Sequence, residues 1–354
     1  MFTSLFHDSR RLAMSRLLIL YTGGTIGMRP SPAGYVPGEG FAERLAAQLA
    51  AHGGEALPSY RLVEMAPAID SANLEPPTWN RLVEVLARHW DDHDGVVILH
   101  GTDTLAYTAS ALSFMLGTLD KPVVLTGAQI PLGQPRSDAP GNLALAMQVA
   151  AHPAAPREVC IAFHDRLLRG NRARKVDSLA MAAFDSPNAP WLGEAGIELR
   201  LEQVPTLPEG TPDFSSVAFE ADRVGVLHCH PGMSPRLVET MLEDSRLQGL
   251  VLLTYGAGNP PGLEGHLMER LQRATESGLV VVNLTQCHRG SVRQGAYASG
   301  ATLNEAGVIA GQDLTPEAAL TKLQVLLGRG LRGMTLREAM ATPLRGEMTA
   351  PAAI

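Results

Sequence analysis

The residues best suited to chemistry are threonines in two short turns. Residues 22–27 (TGGTIG) directly follow the apolar run 17–20, and residues 100–104 (HGTDT) directly follow the apolar run 96–99. Each run predicts a buried strand, and each motif predicts the turn beyond its carboxyl end. Open α/β sheets place their sites along that edge, so the turns can bring two threonine hydroxyls and a carboxylate together. Such a group suits the hydrolysis of a small amide.

Each turn also has a simpler interpretation. Gly23 and Gly24 suit a tight turn with positive φ, which does not explain the threonines on both sides of them. Thr102 or Asp103 suits the cap of a following helix. The chain has neither G-x-G-x-x-G at the first turn nor G-x-x-x-x-G-K, which disfavours a nucleotide site. His100 invites a Ser-His-Asp interpretation, but we predict a core histidine that ends the strand.

Three other segments offer partners for the threonines. The loop 29–38 is rich in proline and glycine and resembles a lid, so Tyr35 is either a hydroxyl partner for Thr25 or an apolar anchor for the loop. Ser71 offers a hydroxyl to a substrate carboxylate or amine, or forms an ordinary turn. Lys175 ends a cluster of four cations and is either a base for a threonine hydroxyl or part of a solvated turn.

Alternating apolar and helical patterns must position these turns. The alternation predicts right-handed βαβ units and a mostly parallel sheet over residues 16 to about 165. A second α/β unit follows a proline-rich stretch. The predicted helices are 41–52, 78–90, 104–116, 142–151, 234–242, 263–276 and 316–327, and the later strands are 121–126, 158–164, 224–228, 249–254 and 278–284.

This pattern predicts two α/β domains. Residues 14–200 form a larger, mostly parallel, Rossmann-like domain of flavodoxin-like character. Residues 201–221 form a linker, and residues 222–354 form a smaller α/β domain. Residues 1–13 are expected to be a disordered tail or a mis-called start before Met14. We do not expect a signal peptide, because its cleavage here would destroy the first motif.

Composition excludes several classes of partner. The 354 residues include 29 basic and 36 acidic side chains, a formal charge of -7, with no basic stripe for nucleic acid or a membrane surface. The three separated cysteines, without a C-x-x-C pair, predict reduced thiols and a cytoplasmic location. His228 and His230 share one side of a strand without a third ligand near in sequence, so we predict no metal site.

Taken together, these segments resemble the bacterial L-asparaginase family, in particular its cytoplasmic (type I) branch. The resemblance covers nearly the whole chain from about Arg16. The segments that carry it are YTGGTIGM with Tyr35 ten residues after Thr25, IDSANLEP, VILHGTDTLAYTASALSFML, PVVLTGAQIPL, RGNRARK, TYGAGNPP and VVNLTQC.

The resemblance implies a catalytic role for five residues. Thr25 would attack the side-chain amide of L-asparagine and form a β-aspartyl ester, which water then hydrolyses. Tyr35 would close over Thr25 and help take its proton. Thr102 and Lys175 would form a second pair of hydroxyl and base, oriented with Asp103. No metal or cofactor is required.

The resemblance also implies substrate contacts and an assembly. Asp103 and Ser71 would hold the α-amino and α-carboxylate groups, and the backbone at Ala128 would contact the amide. Asn259 would reach the site of a neighbouring subunit in a homodimer or homotetramer. The full set of implied substrate contacts is Gly24, Asp70, Ser71, Thr102, Asp103, Ala128 and Asn259.

Two positions depart from members of the family that bind asparagine at a second, allosteric site. A small hydroxyl residue before the lysine and a basic residue before the strand-end Thr-Tyr-Gly are expected there. This chain has Arg174 and Leu253 at those positions, whereas Cys287 is kept. The expectation is that homotropic activation is lost or altered.

Other functions stay open on the sequence. A glutaminase-asparaginase differs in accepting one more methylene, which binding energy discriminates only modestly. The amide-hydrolysing subunit of an archaeal tRNA amidotransferase shares the motifs and carries an extra N-terminal domain, which is not seen in this sequence. A catalytically silent amino-acid sensor would be marked by loss of Thr25, Thr102 or Lys175, and all three are present.

Overall fold

The computed structural model describes residues 15–32, 34–52, 57–262, 266–294 and 298–350. The chain divides into two compact units between Ser215 and Ser216. The expected tail, residues 1–13, and the alternative start Met14 lie outside the described residues. None of the helices in the described ranges is long and apolar enough to cross a membrane.

The first unit contains a large sheet with helices on its faces. Its helices are α1 (Phe41–His52), α2 (Pro77–His89), α3 (Leu105–Leu116) and α4 (Ala139–Ala151). Its strands are β1 (Arg16–Gly23), β2 (Met28–Ser31), β3 (Gly34–Pro37), β4 (Ser59–Ile69), β5 (Gly95–Leu99), β6 (Val123–Thr126), β7 (Val159–Phe163), β8 (Arg166–Arg169), β9 (Arg174–Lys175), β10 (Phe184–Asp185), β11 (Gly193–Ala195) and β12 (Leu199–Leu201).

The large sheet has the spatial order β12-β11-β8-β7-β6-β5-β1-β4. Strands β4, β1, β5, β6 and β7 are parallel, and β8, β11 and β12 extend the sheet in antiparallel fashion. The parallel strands, numbered along the chain without the β2–β3 hairpin, follow the flavodoxin order 2-1-3-4-5. The strand order reverses between β1 and β5, which is the topological switch point where such folds bind ligands.

Continuous apolar runs explain why β1 and β5 lie at the centre of this sheet. Every residue of β5, and every residue of β1 after Arg16, is buried. A strand covered on both faces needs such a run rather than an alternating pattern. The aligned pair Tyr21 and Leu99 ends the register between β1 and β5, so the two threonine turns leave the sheet side by side.

Several observed elements differ from the predicted ones. The β2–β3 hairpin and the short strands β8 to β12 are not predicted by the sequence, because these segments of two to four residues carry too little periodicity. Helix α4 begins at Ala139, three residues before the predicted Asn142, since proline is tolerated in a first helical turn. The first three residues of the predicted helix 263–276 lie outside the described ranges.

The second unit is a four-stranded parallel sheet between two helical layers. Its spatial order is β13-β14-β15-β16. Its strands are β13 (Val224–His228), β14 (Gly249–Thr254), β15 (Val280–Thr285) and β16 (Ile309–Ala310), and its helices are α5 (Pro235–Leu242), α6 (His266–Glu276), α7 (Ala298–Glu305), α8 (Pro316–Gly328) and α9 (Gly333–Ala341).

Alternating residues of β14 build the two cores of this unit. Val251 packs in a cluster with Leu323 of α8 and Met340 of α9. Leu250 packs on the opposite face with Leu271 of α6. This arrangement confirms the smaller α/β unit that the sequence predicted. The observed division after Ser215 lies inside the predicted linker 201–221, whose limits stay a prediction.

A buried ion pair joins α8 to the C-terminal segment of the second unit. The Nζ of Lys322 lies 2.6 Å from Oε1 of Glu347, and neither side chain is exposed. Lys322 also donates to the carbonyl oxygen of Thr342, and Glu347 accepts hydrogen bonds from the backbone N–H groups of Leu344 and Arg345. Burial lowers the pKa of Lys322, and the Glu347 carboxylate opposes that shift.

Replacing Lys322 by methionine is expected to destabilise the second unit by about 3 kcal/mol, because Glu347 would stay buried without its partner. Thermal unfolding monitored by circular dichroism measures the effect. The double variant Lys322→Met/Glu347→Gln should recover part of the loss. Arg88→Met breaks the exposed Arg88–Glu84 pair and should cost less than about 1 kcal/mol. Equal melting of Lys322→Met and wild type would contradict this prediction.

Candidate active site

Four turns meet at the carboxyl edge of the large sheet. They follow the adjacent parallel strands β4, β1, β5 and β6, and they carry Ser71, Thr25, Thr102 and Ala128, respectively. Because parallel strands end at the same edge, four segments that are distant in sequence become neighbours. The site candidates of the first unit are therefore grouped around the switch point.

Glycines allow the turns to come into backbone contact. Gly24 has φ 86°, and a Cβ on it would lie 2.3 Å from the Cα of Gly101. A Cβ on Gly101 would lie 2.3 Å from Oγ of Ser71. Any larger residue would separate the two threonine turns, so these glycines are required for close approach as well as for turn geometry.

Thr25 begins a single 3₁₀ turn, Thr25–Gly27, which is held in place by backbone hydrogen bonds and by the buried side chain of Ile26. The backbone N–H of Gly27 donates to the carbonyl of Gly24 at 3.1 Å, and Ile26 is fully buried. Arg44 of α1 donates to the carbonyl of Gly27 at 2.8 Å. Thr25 itself is partly exposed, and its hydroxyl makes no hydrogen bond to another described residue. The turn is thus fixed and presents a hydroxyl that no described residue engages.

Thr102, Asp103 and Lys175 form a compact polar group in the next turn. Nζ of Lys175 donates to Oγ1 of Thr102 at 2.9 Å and to Oδ1 of Asp103 at 2.7 Å. Thr102 is buried, whereas 59% of the Asp103 side chain and 23% of the Lys175 side chain are exposed. Lys175 reaches this position from β9, which is paired with β10. A hydroxyl, an amine and a carboxylate are thereby placed within proton-transfer distance.

His100 supports the same turn from the core. One ring nitrogen, Nδ1, lies 2.8 Å from the carbonyl oxygen of Gly101, and Nε2 lies 3.0 Å from Oγ1 of Thr108. Nδ1 therefore carries the proton, because a carbonyl only accepts. Burial lowers the pKa of His100 to about 4, so the ring is neutral at physiological pH. His100 is a satisfied core histidine, as its position at the strand end suggested.

Asp70 and Ser71 have separate surroundings within one turn. The carboxylate of Asp70 accepts hydrogen bonds from the backbone N–H of Ala72 and from Nδ2 of Asn73, both at 3.2 Å. The carbonyl of Ser71 accepts from Oγ1 of Thr104 at 2.9 Å. Ser71 is buried and faces Gly101, so its hydroxyl is nearer the threonine turns. Asp70 is engaged within its own turn.

Tyr35 lies on the β2–β3 hairpin that follows the Thr25 turn. Strand β3 packs against that turn, but Tyr35 is 53% exposed. Its hydroxyl makes no hydrogen bond to Thr25 in the described part of the chain. Arg44 donates to the carbonyls of Gly27 and Glu39, which flank the hairpin. The structure thus fixes the base of the hairpin and leaves Tyr35 at an exposed position.

The remaining candidates lie in turns of the second unit or beside Lys175. Asn259 ends the turn after β14 and exchanges backbone hydrogen bonds with Tyr255. Leu253 lies in β14, Cys287 is exposed after β15, and Arg174 precedes Lys175 in β9. The intersubunit role of Asn259 and the altered activation stay predictions. Within the described ranges, no cluster of three or more His, Cys, Asp or Glu side chains suits a metal ion.

Comparisons with known proteins match this arrangement over nearly the whole chain. Residues 16–207 match the family model described as Asparaginase, N-terminal, and residues 223–340 match the Glutaminase/Asparaginase C-terminal domain. The chain is 45% identical to L-asparaginase 1 of Escherichia coli over 94% of this chain and 98% of that protein. The crystal structure of L-asparaginase I from Vibrio cholerae has a TM-score of 0.86 and 41% identity, covering 95% of this chain and 99% of that chain.

A human protein named 60 kDa lysophospholipase is also similar. It is 40% identical over 95% of this chain, which spans 62% of that longer protein. The fold, the grouped threonine turns and these matches define a two-unit α/β amidohydrolase. The chain belongs to the asparaginase family and is an enzyme of that family.

Proposed function

We propose that this enzyme hydrolyses L-asparagine to L-aspartate and ammonia through a threonine nucleophile. The observation that carries the proposal is the pair of threonine turns in backbone contact. Thr25 is not engaged by any described residue, and Thr102 is bonded to Lys175. A weak hydroxyl nucleophile needs a nearby base, and this group supplies one. The E. coli and V. cholerae relatives, which are named L-asparaginases, support the same substrate.

The first half of the proposed reaction is acyl transfer. Oγ1 of Thr25 attacks the carbon of the side-chain amide, and its proton passes, with the help of Tyr35, to the Thr102–Lys175 pair. Backbone N–H groups at the glycine turns stabilise the oxyanion, a contribution of about 3 kcal/mol for one donor in other enzymes. The C–N bond then breaks, and ammonia leaves with a proton relayed by Thr102 and Lys175. A β-aspartyl ester on Thr25 remains.

The second half is hydrolysis of that ester. Water attacks the ester carbon, and its proton passes to the same polar group. That group returns a proton to Oγ1 of Thr25 as the C–O bond breaks, which releases L-aspartate and restores the free threonine. Tyr35 assists both halves when the hairpin closes over Thr25, since closure completes the hydrogen bonding around the reacting groups. Every atom of the reaction comes from substrate, water and these side chains, without a metal or a cofactor.

Substrate orientation is assigned to the turns that flank the nucleophile. Ser71 and Asp103 hold the zwitterionic end of asparagine, with Gly24 and Asp70 in the surrounding turns. The backbone at Ala128 contacts the reacting amide. Asn259 completes the site from a neighbouring subunit of a homodimer or homotetramer.

The proposal also includes a cytoplasmic location for the enzyme. It further includes the loss or alteration of activation by asparagine at a second site.

Ammonia release from L-asparagine, L-glutamine and D-asparagine tests the proposed substrate. L-Asparagine is expected to give the highest kcat/KM, since a site fitted to it disfavours one extra methylene by roughly 10-fold or more. Equal rates with glutamine would support the broader glutaminase-asparaginase. Fatty-acid release from a lysophospholipid is the control for the activity named in the human relative. An enzyme without asparagine turnover would reject the proposal and favour the amino-acid sensor.

A further inference from the structure

A turn without a catalytic side chain forms one wall of the site. Residues 127–130 follow β6, and Ala128 is almost completely buried. A Cβ on Gly127 would lie 2.4 Å from the carbonyl oxygen of His100 and 3.6 Å from Cγ2 of Thr102. The turn is therefore in contact with the Thr102 motif. Gly127 and Ala128 have no polar side chain, so they offer only backbone groups to a substrate, and other residues must set the position of that backbone.

A carboxylate at the start of α4 holds two amides of this turn. Oδ1 of Asp138 accepts the backbone N–H of Ile130 at 2.9 Å, and Oδ2 accepts the backbone N–H of Gln129 at 3.0 Å. Asp138 is the N-cap position of α4, yet its side chain makes no capping hydrogen bond. The carboxylate is thus used to fix the turn and not to begin the helix.

Asn142, in the next turn of α4, holds the beginning of the 127–130 turn. Asn142 is buried and lies four residues after Asp138, on the same face of α4. Its Nδ2 donates to the carbonyl of Gly127 at 3.0 Å and to Oδ2 of Asp138 at 3.0 Å. Its Oδ1 accepts the backbone N–H of His164 at 2.8 Å. All the hydrogen-bonding atoms of both side chains are engaged.

The backbone between the two clamped ends is left free. In the described part of the chain, neither the N–H nor the carbonyl of Ala128 has a hydrogen-bond partner. Buried backbone groups without a partner are uncommon, and a ligand is one way to satisfy them. The side chain of Gln129 extends the clamp, because its Nε2 donates to the carbonyls of Ser178 and Ala180, shortly after Lys175.

We propose that Asp138 and Asn142 are positioning residues that hold the Ala128 peptide against the reacting amide. The inference rests on the proposed function. Because the residues on both sides of Ala128 are held by hydrogen bonds, the backbone N–H and carbonyl of Ala128 have a fixed direction that does not depend on a mobile side chain. An interaction with the reacting amide, and not with the α-amino or α-carboxylate end, should affect the transition state more than ground-state binding.

The test compares kcat and KM for asparagine in Asp138→Ala, Asn142→Ala and Asp138→Asn, with the folded fraction of each measured by circular dichroism. Misplacement of the peptide should lower kcat by about 10²-fold in both alanine variants and leave KM nearly unchanged. Asp138→Asn keeps an acceptor for the two backbone N–H groups, so part of the activity should be restored. If either alanine variant fails to fold, Asp138→Asn still tests the proposal. Its kcat is expected to lie below that of wild type, by less than the roughly 10²-fold loss expected for a misplaced peptide.

Asp313→Ala is the matched control. In the second unit, Asp313 also clamps a segment through its carboxylate, accepting the N–H and the hydroxyl of Thr349 at 2.7 Å each. It should lose stability but keep its kcat per folded molecule. A kcat of Asp138→Ala equal to that of Asp313→Ala would overturn this inference alone. If Asp138→Ala does not fold, a kcat of Asp138→Asn equal to that of Asp313→Ala would do the same. Absence of turnover in wild type would instead overturn the proposed function, and this inference with it.

Discussion

Replacing Thr25 by alanine is expected to lower kcat for L-asparagine by on the order of 10⁴-fold or more, because the proposed attacking hydroxyl is lost. Thr102 cannot substitute, since its oxygen already accepts a hydrogen bond from Lys175 in a neighbouring turn. The fold should be unaffected, because the Thr25 hydroxyl bonds to no other described residue. Ammonia release under saturating asparagine, together with a melting curve, measures both quantities.

Two variants make this result specific to the nucleophile. Thr25→Ser keeps a hydroxyl and should retain a measurable part of the activity. Thr22→Val removes a buried hydroxyl in the same segment, which donates to the carbonyl of Leu99 at 3.0 Å. It should lose about 1 kcal/mol of stability but keep most of its turnover. Turnover by Thr25→Ala at the wild-type rate would reject the assignment of the nucleophile.

Replacing Lys175 by methionine is expected to remove activity, by about 10⁴-fold, while the protein stays folded. The lysine joins Thr102 to Asp103, so its loss interrupts the proposed proton relay. The cost in stability should be small, because 59% of the Asp103 side chain is exposed and partly exposed ion pairs contribute about 1 kcal/mol or less. Steady-state kinetics and thermal unfolding of the same preparation separate the two effects.

Lys175→Arg distinguishes proton transfer from charge alone. Arginine keeps the positive charge and the ion pair, but it does not release a proton in proteins. A relay therefore predicts that Lys175→Arg is nearly as inactive as Lys175→Met. Arg174→Met is the neighbouring control, since adjacent residues of a strand point to opposite faces. Wild-type activity in Lys175→Met would show that the lysine is a surface residue without a role in the reaction.

Both predictions depend on how the fold brings distant turns together. The switch point lies between β1 and β5, and the glycines there allow one threonine turn to touch the other. Lys175 comes from β9, 73 residues away from Thr102 along the chain. The chemistry is thus distributed over turns, while the buried strands hold those turns in place.

The parts of the fold with long apolar runs could be predicted from the sequence. The alternation of apolar runs with helical patterns predicted the mostly parallel sheet and the two α/β units. The runs at β1 and β5, with the glycine turns after them, predicted the sheet edge where the two threonine turns lie. The residues that fix backbone turns were missed. Asp138 and Asn142 have the spacing of one helix face, but nothing local shows that their side chains point back to the turn at residues 127–130.

The sequence by itself determined which groups are available for chemistry and which segments end at the sheet edge, because apolar runs and turn residues are local signals. Only the tertiary structure decided which groups meet. The resemblance implied a pairing of Lys175 with Thr102, and the structure supplied its geometry. The Ala128 peptide, which has no hydrogen-bond partner among the described residues, and the exposed position of Tyr35 depend on strand order and packing between distant segments. These long-range pairings have no local signature, since residues far apart in the chain become neighbours only when the sheet is assembled.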